Sequence, residues 1–80
     1  VAPAFTLLTR ADCGLCAELR AALHAQARGR DYTCELCDVD AEPALRARWG
    51  PRIPVLLRGE RLICEGHLDA ARVEAEFGSP

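Results

Sequence analysis

The sequence predicts an α/β domain whose elements run β-α-β-α-β-β-α around a four-stranded mixed sheet. Three observations carry that prediction. Short apolar runs of strand length, at residues 4–9 and 53–57, alternate with segments in which apolar residues recur at helical spacing. Cys16, Leu19, Leu23 and Ala27 form one such helical stripe. Gly59-Glu60 then sits between two strand-like runs as the tight turn of a hairpin. Eighty residues, free of repeats, linkers and low-complexity tracts, make one domain, 1–80, with a thin core.

The first strand, residues 4–9, places Phe5 and Leu7 on one face and Leu8 on the other. A turn through Arg10 to Asp12 leads into a helix spanning about 15–28. Its inner stripe has Leu15 and Ala22 at the edge, and Glu18, Ala21, Ala25 and Arg28 opposite; Gly29 stops it. The second strand, 32–39, changes the parity of its apolar residues between Leu36 and Cys37, which fits either a bulge or a strand covered on both faces. Asp40 is the expected N-cap of the second helix, with Pro43 in its first turn, where a missing N–H costs little. That helix ends by Gly50-Pro51. The hairpin pairs 53–57 with 61–65, and Gly66 breaks it. A final helix, 68–77, has Asp69 near its start and Leu68, Ala71, Val73 and Phe77 facing inward; its charges at Arg72, Glu74 and Glu76 are expected to form a solvated face. A right-handed first crossover makes the first two strands parallel.

Composition narrows the function. The net charge is -2, all ten basic residues are Arg, and the two signs are scattered, so no basic patch invites nucleic acid. No run of 18 apolar residues exists to span a membrane, and no basic-then-apolar leader marks a signal peptide. Five cysteines, an odd count, suit a reducing compartment. The expectation is a cytoplasmic monomer.

The chemistry centres on Cys13-Gly14-Leu15-Cys16. A helix N-terminus has unpaired N–H groups and a partial positive charge, and both favour a thiolate. Three residues on, Cys16 lies about one turn away on the same face. Cys13 is therefore the expected attacking thiolate and Cys16 the thiol that resolves a mixed disulfide. Asp12, directly before Cys13, opposes a low thiolate pKa.

Cys-x-x-Cys after the first strand, with Ile53-Pro54 at the third, resembles the thioredoxin fold in its glutaredoxin-like form, over essentially the whole chain. The resemblance implies a three-layer α/β/α arrangement. In that family a cis proline opens the third strand and faces the cysteine pair. Pro54, in Arg52-Ile53-Pro54-Val55, matches it, which leaves the backbone of Ile53 to pair with an extended thiol substrate. Arg10 stands three residues before Cys13, where glutaredoxins usually carry a Lys that favours the thiolate and contacts glutathione. Gly66 and Asp69 match the later half of a Gly-Gly-x-x-Asp stretch whose Asp binds the γ-glutamyl end of glutathione; Glu65 stands at its first Gly. Gly14-Leu15 replaces the Pro-Tyr of glutaredoxins and the Gly-Pro of thioredoxins, so the sequence looks closest to short bacterial glutaredoxin-like proteins with a Cys-x-Leu-Cys signature. The resemblance implies a thiol-disulfide oxidoreductase with no bound cofactor, with glutathione as candidate co-substrate. Its partner would be a disulfide-containing protein or a glutathione mixed disulfide.

Two other readings compete. Cys13, Cys16, Cys34 and Cys37 have the spacing of a structural zinc site. Against it, residues 34 and 37 lie in a strand, where positions three apart point to opposite faces, and a continuous helical stripe fills the interval. The other alternative is a redox-inactive thioredoxin-like module for protein contacts. Cys34, Cys37 and Cys64 read as small buried hydrophobes, His24 and His67 as surface residues, and Trp49 as a core or edge aromatic.

Overall fold

The computed structural model describes residues 2–78. The expected order holds, with two 3-10 turns added. β1 (Ala4–Thr9) leads to α1 (Gly14–Gln26), β2 (Thr33–Asp38), a 3-10 turn (Val39–Ala41) and α2 (Pro43–Trp49). A second 3-10 turn (Gly50–Arg52), β3 (Val55–Arg58), β4 (Arg61–Glu65) and α3 (Ala70–Glu76) complete the chain. The sheet order is β2-β1-β3-β4; β1 is parallel to β2 and antiparallel to β3, and β3 is antiparallel to β4.

Strand alternation splits the core between the two faces of the sheet. On one face Phe5, Leu7, Leu56 and Ile63 pack with Leu19 and Leu23 of α1 and Val73 of α3. On the other, Leu8 and Val55 pack with Val39 and with Trp49 of α2. The result is a three-layer α/β/α fold. The inner stripe of α1 is as expected, with Cys16, Leu19 and Leu23 buried, but the helix ends at Gln26, two residues early, and the buried Ala27 is its C-cap. Gly29 follows in the left-handed region, at φ 84°, and the chain turns away there.

Several local expectations need correction. The parity change in β2 is not a bulge, because its register with β1 runs unbroken from Ala4↔Thr33 to Thr9↔Asp38. The strand is covered on both faces only in part: it is half-buried at Cys34 and Cys37, while Leu36 is 45% exposed. Cys34 joins one core and Cys37 the other, so each face takes one apolar neighbour. The bulge occurs instead in the hairpin, where pairing shifts between Leu56↔Cys64 and Leu57↔Leu62. Ile63 is the extra residue, which lets Ile63 and Cys64, neighbours in sequence, join the same core.

Asp40 does not cap α2. Asp38 accepts from the backbone N–H of Asp40 at 2.8 Å and caps the 3-10 turn, while Glu42 precedes Pro43 without a side-chain bond. α3 starts at Ala70, two residues later than expected, and Ala71 is exposed. Of its charges, Arg72 and Glu74 are exposed as expected and Glu76 is not, and both carboxylates are paired. Glu74 bonds Arg30 and Gln26 of the α1 end, and Glu76 bonds Arg58 and Arg61 of the hairpin. A seven-residue helix is too short to hold itself, and these bonds fasten it to both neighbours. No helix among the described residues is long and apolar enough to cross a membrane.

Candidate active site

The turn between β1 and α1 places the cysteines. Asp12 takes a positive φ of 59°, a conformation that Asp tolerates better than most side chains and that swings the chain into the helix. Cys13 then sits at the N-cap of α1, with extended backbone. Its Sγ accepts a hydrogen bond from the backbone N–H of Cys16 at 3.1 Å, in the role that Ser, Thr or Asp usually fills. Cys16 begins the buried stripe and is 4% exposed, whereas Cys13 is half-buried at the tip. The two are joined by a disulfide, with Cα atoms 5.2 Å apart.

An open cleft of about 530 Å³ lies beside them, between α1 and the edge strand. Arg10, Asp12 and Cys13 line it together with Arg20 and Leu36. The guanidinium of Arg10 is held firmly. Its Nε and Nη2 donate to the two carboxylate oxygens of Asp40 at 3.0 and 2.9 Å, and Nη1 donates to the Gly50 carbonyl at 3.5 Å. This bidentate pairing holds the Asp40 carboxyl below its ordinary range. Gly50 leaves room beside this group: a Cβ there would stand a tight 3.3 Å from Arg10 Nη2.

The remaining expected site residues lie outside this cleft. The Ile53–Pro54 peptide is cis. Pro54 is buried, and its carbonyl accepts from the N–H of Gly66 at 2.8 Å. Gly66 has φ 77° and, with Leu15 and His67, lines a separate depression. Ile53 is half-buried against the α2-side core. Asp69 caps α3, accepting from the Arg72 N–H at 3.1 Å. Glu65 is in an ion pair with Arg52, with Nε to oxygen at 2.7 Å. So Arg10, Cys13 and Cys16 share one cleft, Pro54 and Gly66 are tied by one hydrogen bond, and Asp69 is engaged with its own helix.

The four cysteines of the zinc spacing do not converge. Cys34 and Cys37 pack on opposite faces of the sheet, and among the described residues no three His, Cys, Asp or Glu side chains gather as a metal site.

Residues 4–78 match the glutaredoxin-like domain (DUF836). The chain belongs to the glutaredoxin-like family. Relatives of this glutaredoxin-like chain include uncharacterized proteins of Mycobacterium tuberculosis and Mycobacterium bovis. Each is 33% identical over 88 residues, an alignment covering 98% of this chain and 91% of the relative. The solution NMR structure of a protein from Nitrosomonas europaea superposes with a TM-score of 0.84 at 25% identity, covering 98% of this chain and 95% of that one. An X-ray structure of a protein from X. campestris gives 0.65 at 33% identity, covering 89% and 91%. The fold of the glutaredoxin-like chain is thus thioredoxin-like.

Three residues of the glutaredoxin-like site were not foreseen. Asp40 reaches Arg10 because β1 and β2 run parallel and end level, at Thr9↔Asp38. Arg20 stands on the α1 flank that faces the cleft; its spacing of four from Cys16 and seven from Cys13 was the available signal. Leu36 forms the apolar side of the cleft. Among the other thiols, burial pushes the pKa of Cys34 and of Cys64 up; the charge of Arg20 offsets part of the effect at Cys34.

Proposed function

We propose that the protein is a thiol-disulfide oxidoreductase whose working pair is Cys13 and Cys16. The carrying observation is the N-cap position of Cys13, whose sulfur accepts the Cys16 N–H at the edge of an open cleft. A thiolate gains from that bond and from the helix N-terminus. In the reduced protein the Cys13 thiolate attacks one sulfur of a substrate disulfide, and the other sulfur leaves as a thiolate. Cys16 then loses its proton to solvent and attacks the Cys13 sulfur. The second substrate thiol is released and the Cys13–Cys16 disulfide forms. Two electrons pass from the dithiol to the substrate.

Arg10 lines the cleft beside Cys13, its charge offset by Asp40. Ile53 and Pro54, with Gly66 and Asp69, form the edge along which a disulfide protein or a glutathione mixed disulfide lies, and glutathione is the candidate reductant. The protein acts as a monomer in the cytoplasm.

The test is a titration of the thiols in a glutathione redox buffer, with alkylation followed by mass. One Cys13–Cys16 disulfide with a defined midpoint is expected. Cys13→Ser should abolish turnover, and Cys16→Ser should accumulate a mixed disulfide on Cys13. Wild-type reductase activity in Cys13→Ser would refute the assignment.

A further inference from the structure

We infer that Arg20 selects substrates carrying a carboxylate close to the disulfide, by pairing with it on the α1 flank of the Cys13 cleft. The inference deepens the oxidoreductase function proposed above and rests on it. Three charged groups line the cleft: Arg10, Asp12 and Arg20. Arg10 is largely committed, since Asp40 offsets its charge through two hydrogen bonds and Gly50 accepts a third, three of the guanidinium's five N–H donors. A guanidinium so occupied has little left for an incoming anion. Asp12, in the turn beside Cys13, repels one. Arg20 is exposed and has neither an ion pair nor a side-chain hydrogen bond among the described residues.

Reach supports the assignment. Seven residues of helix place the Arg20 Cα about 10 Å beyond Cys13 along α1. Helical side chains lean back toward the N-terminus, so the long Arg20 stem returns toward the sulfur. Leu36, 45% exposed across the cleft, offers apolar surface to the methylenes that link a sulfur to a carboxylate. Arg20 also borders the adjoining groove of Tyr32 and Cys34, so a longer acidic substrate has room to continue there.

The test compares three small disulfides with the reduced protein, recycled by dithiothreitol. They are 3,3′-dithiodipropionate (anionic), bis(2-hydroxyethyl) disulfide (neutral) and cystamine (cationic). Relative to the rates of the same probes with dithiothreitol alone, which carry their intrinsic leaving-group difference, the wild type should favour the anionic over the cationic probe. In Arg20→Gln the anionic-to-neutral rate ratio should fall by up to about fivefold, the upper end for one exposed ion pair, and Arg20→Lys should restore most of it. Arg28→Gln removes the same charge from beyond the far end of α1 and should keep the wild-type ratio. An unchanged ratio in Arg20→Gln, or an equal fall in Arg28→Gln, overturns carboxylate selection while leaving the oxidoreductase intact. Failure of the wild type with the neutral disulfide as well would overturn both.

Discussion

At the scale of single residues, one of the charges lining the cleft is cancelled by a partner and the others are not. Arg10 and Asp40 neutralise each other beside Cys13. Replacing Asp40 by Asn should leave Arg10 uncompensated and lower the Cys13 thiolate pKa, since a nearby carboxylate disfavours a second negative charge. The pH dependence of thiolate absorbance or of alkylation rate reports it; an unmoved or raised pKa would refute the effect. The cysteine pair was legible in the sequence because a motif at a helix start carries its own chemistry. The Arg10–Asp40 pair was not, because it exists only once β1 and β2 lie in parallel register. Asp38 and Asp40, two positions apart, offered two candidate caps, and only the path of the 3-10 turn decides between them.

At the scale of elements, α1 was the most legible part, since four buried residues at helical spacing leave no other solution. Leu19, 2% exposed, lies at its centre. Leu19→Ala should cost about 2–5 kcal/mol in a denaturant titration, from lost transfer energy plus a cavity. α3 was less legible: seven residues give too few turns for periodicity to place its start, and Ala71 falls outside the contact face that Val73 defines. Asp69 carries two hypotheses that substitution can part. Asp69→Ala should lose the cap and about 1 kcal/mol of stability. Asp69→Asn should keep the cap while removing the charge proposed to meet glutathione. A glutathione KM that rises in both, with stability lost only in the first, would support the dual role; equal KM values in the wild type and the Asn variant would remove Asp69 from substrate binding.

At the scale of the whole molecule, α3 is the piece most dependent on its surroundings, and acid should reveal it. Arg30, with Gln26 adding a second bond, pulls the Glu74 carboxyl from its ordinary 4.5 to about 2. A folded-state pKa below the unfolded one stabilises fully above about 4.5, and the contribution is lost as pH falls toward 2. Glu76 and Glu65 are lowered in the same direction by their arginines. Melting temperature should therefore decline between pH 4.5 and 2, and Glu74→Gln should flatten part of that decline; a parallel curve would show that the ion pair contributes nothing. The sheet order has a consequence for how the protein is made. The first strand takes its second partner from the last third of the chain, Leu8 meeting Val55 and Phe5 meeting Arg58. On the ribosome, Cys13 and Cys16 are therefore synthesised seconds before the strand that completes the sheet beside them, at roughly 5–20 residues per second.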